Sequence, residues 1–319
     1  MLLKPGSTGP EVGRLETRLI ELGLYTDTAD NAYSASLQAA VKAFQTSNGL
    51  TPDGIVGDQT WAALFPVDVT GNPIAQRCLA LTGSFETSAL APACFAGLAG
   101  DFDGQGLSFG ALQWNFGQGT LQPMLSEMAT AHPDIMSSLF GDNLGAFNAM
   151  LGSPRTQQLA WARGIQDSAK HTVSDPWKSL FKALGLTPEF QAIEMAHAAT
   201  YHTAAVQLWQ RFSLSTERAQ ALMFDISVQN GSISSATEAF IRADFAAIPA
   251  GSAPMDAELA KLQAIANRVA EASKPQYVED VRVRKLTVAN GSGTVHGVVY
   301  NLEQQFGIGL RLAAQAQRL

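Results

Sequence analysis

The sequence predicts a mainly α-helical protein of two unequal domains: a small three-helix domain, then a larger helical domain with one short β-hairpin. Three observations carry this. Apolar residues recur at three- and four-residue spacing through most of the chain, the signature of helices that bury one face. The run Pro66-Val-Asp-Val-Thr-Gly-Asn-Pro73 lacks such a stripe and holds two prolines and a glycine, so it reads as a linker between residues 1–65 and 74–319. At 319 residues, against about 150 for a typical domain, the chain can bury two cores.

In the first domain Val12, Leu15, Leu19 and Leu22 form one apolar stripe, and Leu37, Ala40, Val41 and Phe44 a second. Gly49 suits a helix stop and Asp53-Gly54 a tight turn. The region repeats itself: Asp30-Asn-Ala-Tyr-Ser leads into the helix at 37–44, and Asp53-Gly-Ile-Val-Gly into a third helix beginning Thr60-Trp-Ala-Ala-Leu. In the second domain the stripes predict helices over 75–85, 120–131, 143–151, 156–168, 188–211, 215–230, 236–247, 256–272 and 278–289. Segment 101–115 has Gly104, Gly106 and Gly110 close together and no stripe, which predicts the hairpin.

The chain is 46% hydrophobic and only 15% charged, against about 25% charged on average, so long disordered stretches are excluded. With 21 basic and 28 acidic residues the net charge is −7, the wrong sign for holding nucleic acid. The start, Met1-Leu-Leu-Lys-Pro-Gly, has no apolar signal core, and the most apolar stretch, 89–99, is too short to span a bilayer and carries Pro92. A soluble monomer made in the cytoplasm without a signal peptide is therefore expected. Cys78 and Cys94 have no CxxC spacing and no companions at zinc-ligand offsets, and His197 and His202 are not at i, i+4, so neither a metal nor a cofactor is expected. Cys94, in Ala-Pro-Ala-Cys-Phe, reads as a packed thiol; whether the two cysteines pair is left open.

Cleavage of a glycosidic bond needs two carboxyl groups, one to protonate the leaving oxygen and one to activate water. Glu86 suits the first of these roles. It follows the apolar run Cys78-Leu-Ala-Leu-Thr-Gly-Ser-Phe85 and has no acidic neighbour between Asp68 and Asp101, so it is expected to end a buried helix, where desolvation would raise its pKa toward that of a general acid. The second carboxylate is sought in Gly100-Asp-Phe-Asp-Gly-Gln-Gly-Leu-Ser-Phe-Gly110, where Asp101 and Asp103 would share one face of an extended strand. A calcium loop is disfavoured because its twelfth position, counted from Asp101, is Leu112 instead of Glu.

Residues 3–65, through Leu3-Lys-Pro-Gly-Ser-Thr-Gly, the Ala40-Val-Lys-Ala-Phe-Gln45 helix and the Asp53-Gly-Ile-Val-Gly-Asp-Gln-Thr-Trp61 ending, resemble the peptidoglycan-binding domain at the ends of bacterial and phage cell-wall hydrolases. Two departures are Glu16, where that family usually has Gln, and the first turn at 30–34. The stretch 80–126 resembles the lysozyme superfamily, most closely its chitosanase-type branch, whose pattern is a helix-end Glu, a Gly-Asp-Gly-x-Gly-Tyr-Thr-like turn and a Gly-x-Gly before a helix. The resemblance implies Glu86 as general acid, Asp103 as general base, Ser108 as holder of the attacking water, and Asp225 with Arg284 as a supporting network; of the two acids that would share a face, Asp101 is then the one left to position the substrate. The branch's second arginine has no evident match, and His296 stands nearby.

Chitosan is a polycation, and the branch's cleft-side acid before the helix is Thr120 here, while Gln105, Gln113, Trp114, Asn115 and Gln118 are neutral. They suit hydrogen bonds to N-acetyl groups and stacking on a sugar face. The expected partner is peptidoglycan and the expected activity that of a muramidase, in a phage endolysin acting at the cell wall. A lytic transglycosylase, a non-catalytic wall-binding phage protein and, third, a chitosanase are the alternatives. The two carboxyls are expected at the wide separation of an inverting enzyme.

Overall fold

The computed structural model describes residues 2–65 and 71–313. Linker residues 66–70 and the last six residues, 314–319, therefore lie outside the described part. The first domain consists of α1 (Pro10–Glu21), α2 (Ala35–Ser47) and α3 (Asp58–Leu64). The stripes on α1 and α2 meet in one core with Leu3, Tyr25, Tyr33, Val56 and Leu64; Leu22, at the end of the first stripe, is exposed instead. Ser34 caps α2 by accepting from Leu37 N at 3.1 Å. Two buried polar side chains close the turns that precede α2 and α3. Glu16 Oε2 accepts from Asp30 N (3.1 Å) and Asn31 N (2.9 Å). Gln45 Nε2 donates to Asp53 Oδ1 and Ile55 O, and its Oε1 accepts from Gly54 N, each at 2.9 Å. The Gln that follows Phe44 thus ties α2 to the Asp-Gly turn.

The second domain begins with α4 (Ile74–Thr87), followed by β1 (Leu98–Ala99), β2 (Ser108–Phe109), β3 (Trp114–Asn115) and helices α5 (Leu121–Ala131), α6 (Pro133–Phe140), α7 (Leu144–Leu151) and α8 (Arg155–Gly164). Then come β4 (Gln166–Asp167), β5 (Thr172–Val173), α9 (Trp177–Gly185), α10 (Pro188–Arg211), α11 (Glu217–Gln229), α12 (Ser235–Ala246), α13 (Pro254–Glu271), α14 (Val278–Asn290), β6 (Ser292–Val295), β7 (Val298–Asn301) and α15 (Leu302–Phe306). Helix α11 is buried continuously from Ala219 to Ser227 and packs against α4, α10 and α14. A helix covered on all sides brings any ionisable residue within it out of water, which is the fate of Asp225.

The hairpin expected over 101–115 is instead an antiparallel sheet of three strands, with Leu98 opposite Phe109 and Ser108 opposite Asn115. The helix expected over 156–168 stops at Gly164. Beyond it Asp167 Oδ1 accepts from Ala169 N and Lys170 N, both at 2.9 Å, and this local bonding turns the chain into the β4–β5 pair. Helices α6, α9 and α15 and the β6–β7 pair were not expected. The last turns on His296 and Gly297, with φ of 50° and 79°, the left-handed pair of a two-residue hairpin turn. Among the described residues no helix is long and apolar enough to cross a membrane.

Cys78 and Cys94 are both free and buried. Burial pushes the Cys78 thiol up to about 12 and raises Cys94 as well. Neither should react with a thiol reagent such as DTNB in the native protein at pH 8, while both react in denaturant; rapid labelling of the folded chain would contradict this packing.

Candidate active site

Thr82 and Glu86 stand four residues apart on α4 and so share a face near its C-terminal end. That face meets Asp225 of α11. Thr82 Oγ1 donates to Asp225 Oδ1 at 3.1 Å. Arg284 and Lys285, adjacent on α14, approach the same carboxylate from two sides: Arg284 Nη2 donates to Oδ1 at 2.7 Å, and Lys285 Nζ to Oδ2 at 2.6 Å. Lys285 Nζ also donates to Gln229 Oε1 at 2.6 Å. Arg284 Nη2 then reaches Glu86 Oε1 at 2.7 Å, with its guanidinium over the Phe85 ring. Asp225, Arg284 and Lys285 are buried, whereas 29% of the Glu86 side chain is exposed. A chain of interior charges thus ends on one carboxylate that faces solvent.

Burial alone would raise the Asp225 carboxyl, but the two cations beside it outweigh burial and hold it well below the usual carboxylate range. Burial draws the Lys285 ammonium down to about 8, against the pull of Asp225. The structure corrects two expectations. Glu86 does end a buried helix, but its own side chain is not desolvated; it emerges where the left-handed Ser88 (φ 55°) ends α4, and it is held by a cation. The second cation of the network is Lys285, while His296 sits apart, paired with Asp280 at 2.6 Å. Lys285 was visible in the sequence as the neighbour of Arg284, but only the packing of α14 on α11 shows that adjacent side chains converge on one acid.

The β1–β2 connection carries the second pair of acids. Gly104 and Gly106 adopt φ of 83° and 84°, so the segment turns tightly, and Asp101 and Asp103 do not share the face of an extended strand. Asp101 is an anchor: Oδ1 accepts from Gly106 N at 2.7 Å and Oδ2 from Arg163 Nε at 2.6 Å. Its slight burial is outweighed by these bonds, which hold its pKa below the ordinary value. Arg163 Nη2 also donates to Gly104 O at 2.8 Å. Asp103 is exposed, and its Oδ1 accepts from Gln105 N at 3.1 Å within the loop. Ser108 lies on β2, half-buried, opposite Ala99 and Asn115.

The expected neutral lining is partly consumed by the fold. Trp114 is only 7% exposed and belongs to the core, so it offers no face to a sugar. Asn115 is buried, and its Oδ1 accepts from Gln118 N at 2.8 Å. Gln113 Nε2 donates to Gly110 O (2.9 Å) and Gly97 O (3.2 Å), bracing its own turn. Gln105 is half-buried over Gly117, and Gln118 is exposed. Among the described residues no group of three or more His, Cys, Asp and Glu is placed to hold a metal ion.

Glu194 lies on α10 beneath the 110–113 turn. Its Oε2 accepts from Ala111 N at 2.8 Å, and its buried Oε1 has no partner. A Cβ on Gly110 would stand 2.9 Å from that oxygen, and one on Gly83 would stand 2.8 Å from Ala111 Cβ, so the turn is wedged between α10 and α4 one helical turn before Glu86. Burial raises the Glu194 pKa well above 4.5. The unfolded chain loses this proton near 4.5 while the folded chain keeps it, so the associated stability is full below that pH and declines as pH rises toward the folded value. Glu194→Gln should flatten this decline. Its Tm difference from the parent should grow between pH 5 and pH 8, and a constant difference would contradict a buried neutral acid.

Residues 8–64 match the family model described as "Putative peptidoglycan binding domain". No curated protein matches the chain. Among solved structures, a native chitosanase from Bacillus subtilis MY002 superposes at 18% identity over 69% of this chain and 87% of its own, with a TM-score of 0.41. A GH46 chitosanase from Gynuella sunshinyii, solved with chitotetraose, superposes at 14% identity over 72% of this chain and 97% of its own, with a TM-score of 0.42.

Proposed function

We propose that the chain is a modular peptidoglycan hydrolase, in which the N-terminal domain holds the wall polymer and the second domain cleaves a β-1,4 glycosidic bond of its glycan, as a phage endolysin does. The observation that carries this is the Glu86–Arg284–Asp225–Lys285 series. A buried ionic group costs desolvation energy, and here three such groups converge behind one solvent-facing carboxylate at a helix end. Arg284 grips Glu86 through Oε1, leaving Oε2 to meet the glycosidic oxygen. In this reading Glu86 gives its proton to the departing sugar oxygen. Asp103 takes a proton from water held near Ser108, and that water attacks the opposite face of the sugar with inversion. The match of residues 8–64 supports peptidoglycan as the polymer, because a tethered binding domain raises the local concentration of substrate at the cleft.

Lytic transglycosylation is the second reading, favoured by one observation: Asp103 is exposed and supported only within its own loop, unlike Glu86. Mass spectrometry of fragments from digested peptidoglycan separates the two. Hydrolysis predicts reducing N-acetylmuramic acid ends and a loss of at least about a hundredfold in rate for Asp103→Ala. Anhydro ends with an active Asp103→Ala variant would establish transglycosylation, and turnover of chitosan in preference to peptidoglycan would establish a chitosanase.

A further inference from the structure

Phe102, between Asp101 and Asp103, is 70% exposed and is the most exposed large hydrophobic side chain among the described residues. Single exposed apolar residues are common on protein surfaces, but this one is displayed on a loop with little freedom. Asp101 fastens the loop to Arg163 and to Gly106 N. Asp101 N donates to Gln166 Oε1 at 2.8 Å. Gly100 lies so close to the His171 carbonyl that a Cβ would not fit. The loop and the β4–β5 turn are therefore interlocked. His171, at φ 50° with its N–H bonded to Asp167 O at 2.8 Å, sets its imidazole 5.3 Å from the Phe102 ring at 47°. The Gly-Asp-Gly-x-Gly pattern that this loop resembles has glycine where Phe102 stands, so the ring is a feature of this chain.

We propose that Phe102, backed by His171, is a stacking subsite for the C–H face of an N-acetylhexosamine ring next to the sugar that is cleaved; this rests on the hydrolase reading above. A ring held in place before the ligand arrives loses little entropy on binding, and the apolar face of a pyranose removes its exposed carbons from water. Because Asp103 is the next residue in the chain, a sugar on Phe102 would lie within one residue of the proposed base. The subsite is one of binding and takes no part in proton transfer.

The test is steady-state kinetics of the full chain on soluble, uncrosslinked peptidoglycan glycan strands, with the N-terminal domain common to every variant. Phe102→Ala should raise KM about tenfold, equivalent to about 1.4 kcal/mol, with kcat held within about threefold. Phe102→Trp should restore KM to within about twofold of the parent. An active parent with an unchanged KM in Phe102→Ala, or a fall confined to kcat, would overturn the subsite alone. A parent that releases no new chain ends would overturn the hydrolase reading and the subsite with it.

Discussion

Glu86→Gln is expected to abolish turnover of peptidoglycan, by at least about a thousandfold in initial rate, with little change in stability or in binding to cell walls. An amide keeps the shape of the side chain and an oxygen for Arg284, but it has no proton to give the leaving sugar, and general acid catalysis of this kind is worth about 10²–10⁴-fold. Arg284 retains Asp225 as a counter-charge at 2.7 Å, so the interior network survives the substitution. Reducing-end assays and thermal denaturation on the same preparation check both halves. Substantial turnover by the variant would remove Glu86 from the reaction.

Asp225→Ala should destabilise the second domain by about 3–5 kcal/mol, because it strands the Arg284 guanidinium and the Lys285 ammonium in the interior without their shared carboxylate. Against a total stability of about 5–15 kcal/mol, that is enough to unfold much of the population under mild denaturant. Asp225→Asn, which keeps the volume and one acceptor, should lose less. The acid behaviour follows with its sign. The folded-state pKa of Asp225 is depressed, so its stabilisation is complete above the unfolded value of about 3.9 and is lost as the pH falls through and below it. Urea denaturation of parent and variant at pH 7 and pH 3 measures this. A cost below about 1 kcal/mol at pH 7 would show that the charges find other partners.

The helical frame was readable because its signal is local. The stripes of α1 and α2, the apolar Ala221–Phe224 run of α11 and the break at residues 66–73 each follow from residues within a few positions of one another. The short elements were less readable. Asp167 diverts the chain from α8 by bonding backbone groups two and three residues on, and a helical stripe over 156–168 does not register that competition. Helix α9, with Trp177, Leu180, Phe181 and Leu184 at helical spacing, and the His296-Gly297 turn between valines did carry signals.

For the candidate site, Glu86, Asp225 and Arg284 could be named from motif context, and the structure brings the three together. What sequence spacing cannot convey is burial. It made Glu86 a desolvated helix end and put Trp114 in a cleft, whereas Glu86 is gripped by a cation at the surface and Trp114 lies inside the core. Lys285, Arg163 and Glu194 act across 60, 62 and 83 residues of chain, distances over which no local pattern operates.

The most direct test of the central claim, that Glu86 and Asp103 flank a glycosidic bond, is a crystal structure of the Glu86→Gln protein with a soluble peptidoglycan glycan fragment. The account predicts a glycosidic oxygen within about 2.6–3.2 Å of the residue 86 amide. It also predicts the Asp103 carboxylate on the opposite face of that sugar, about 6.5–9.5 Å from residue 86, with a water between. A fragment bound away from residue 86, or an Asp103 turned from the bound sugar, would contradict it.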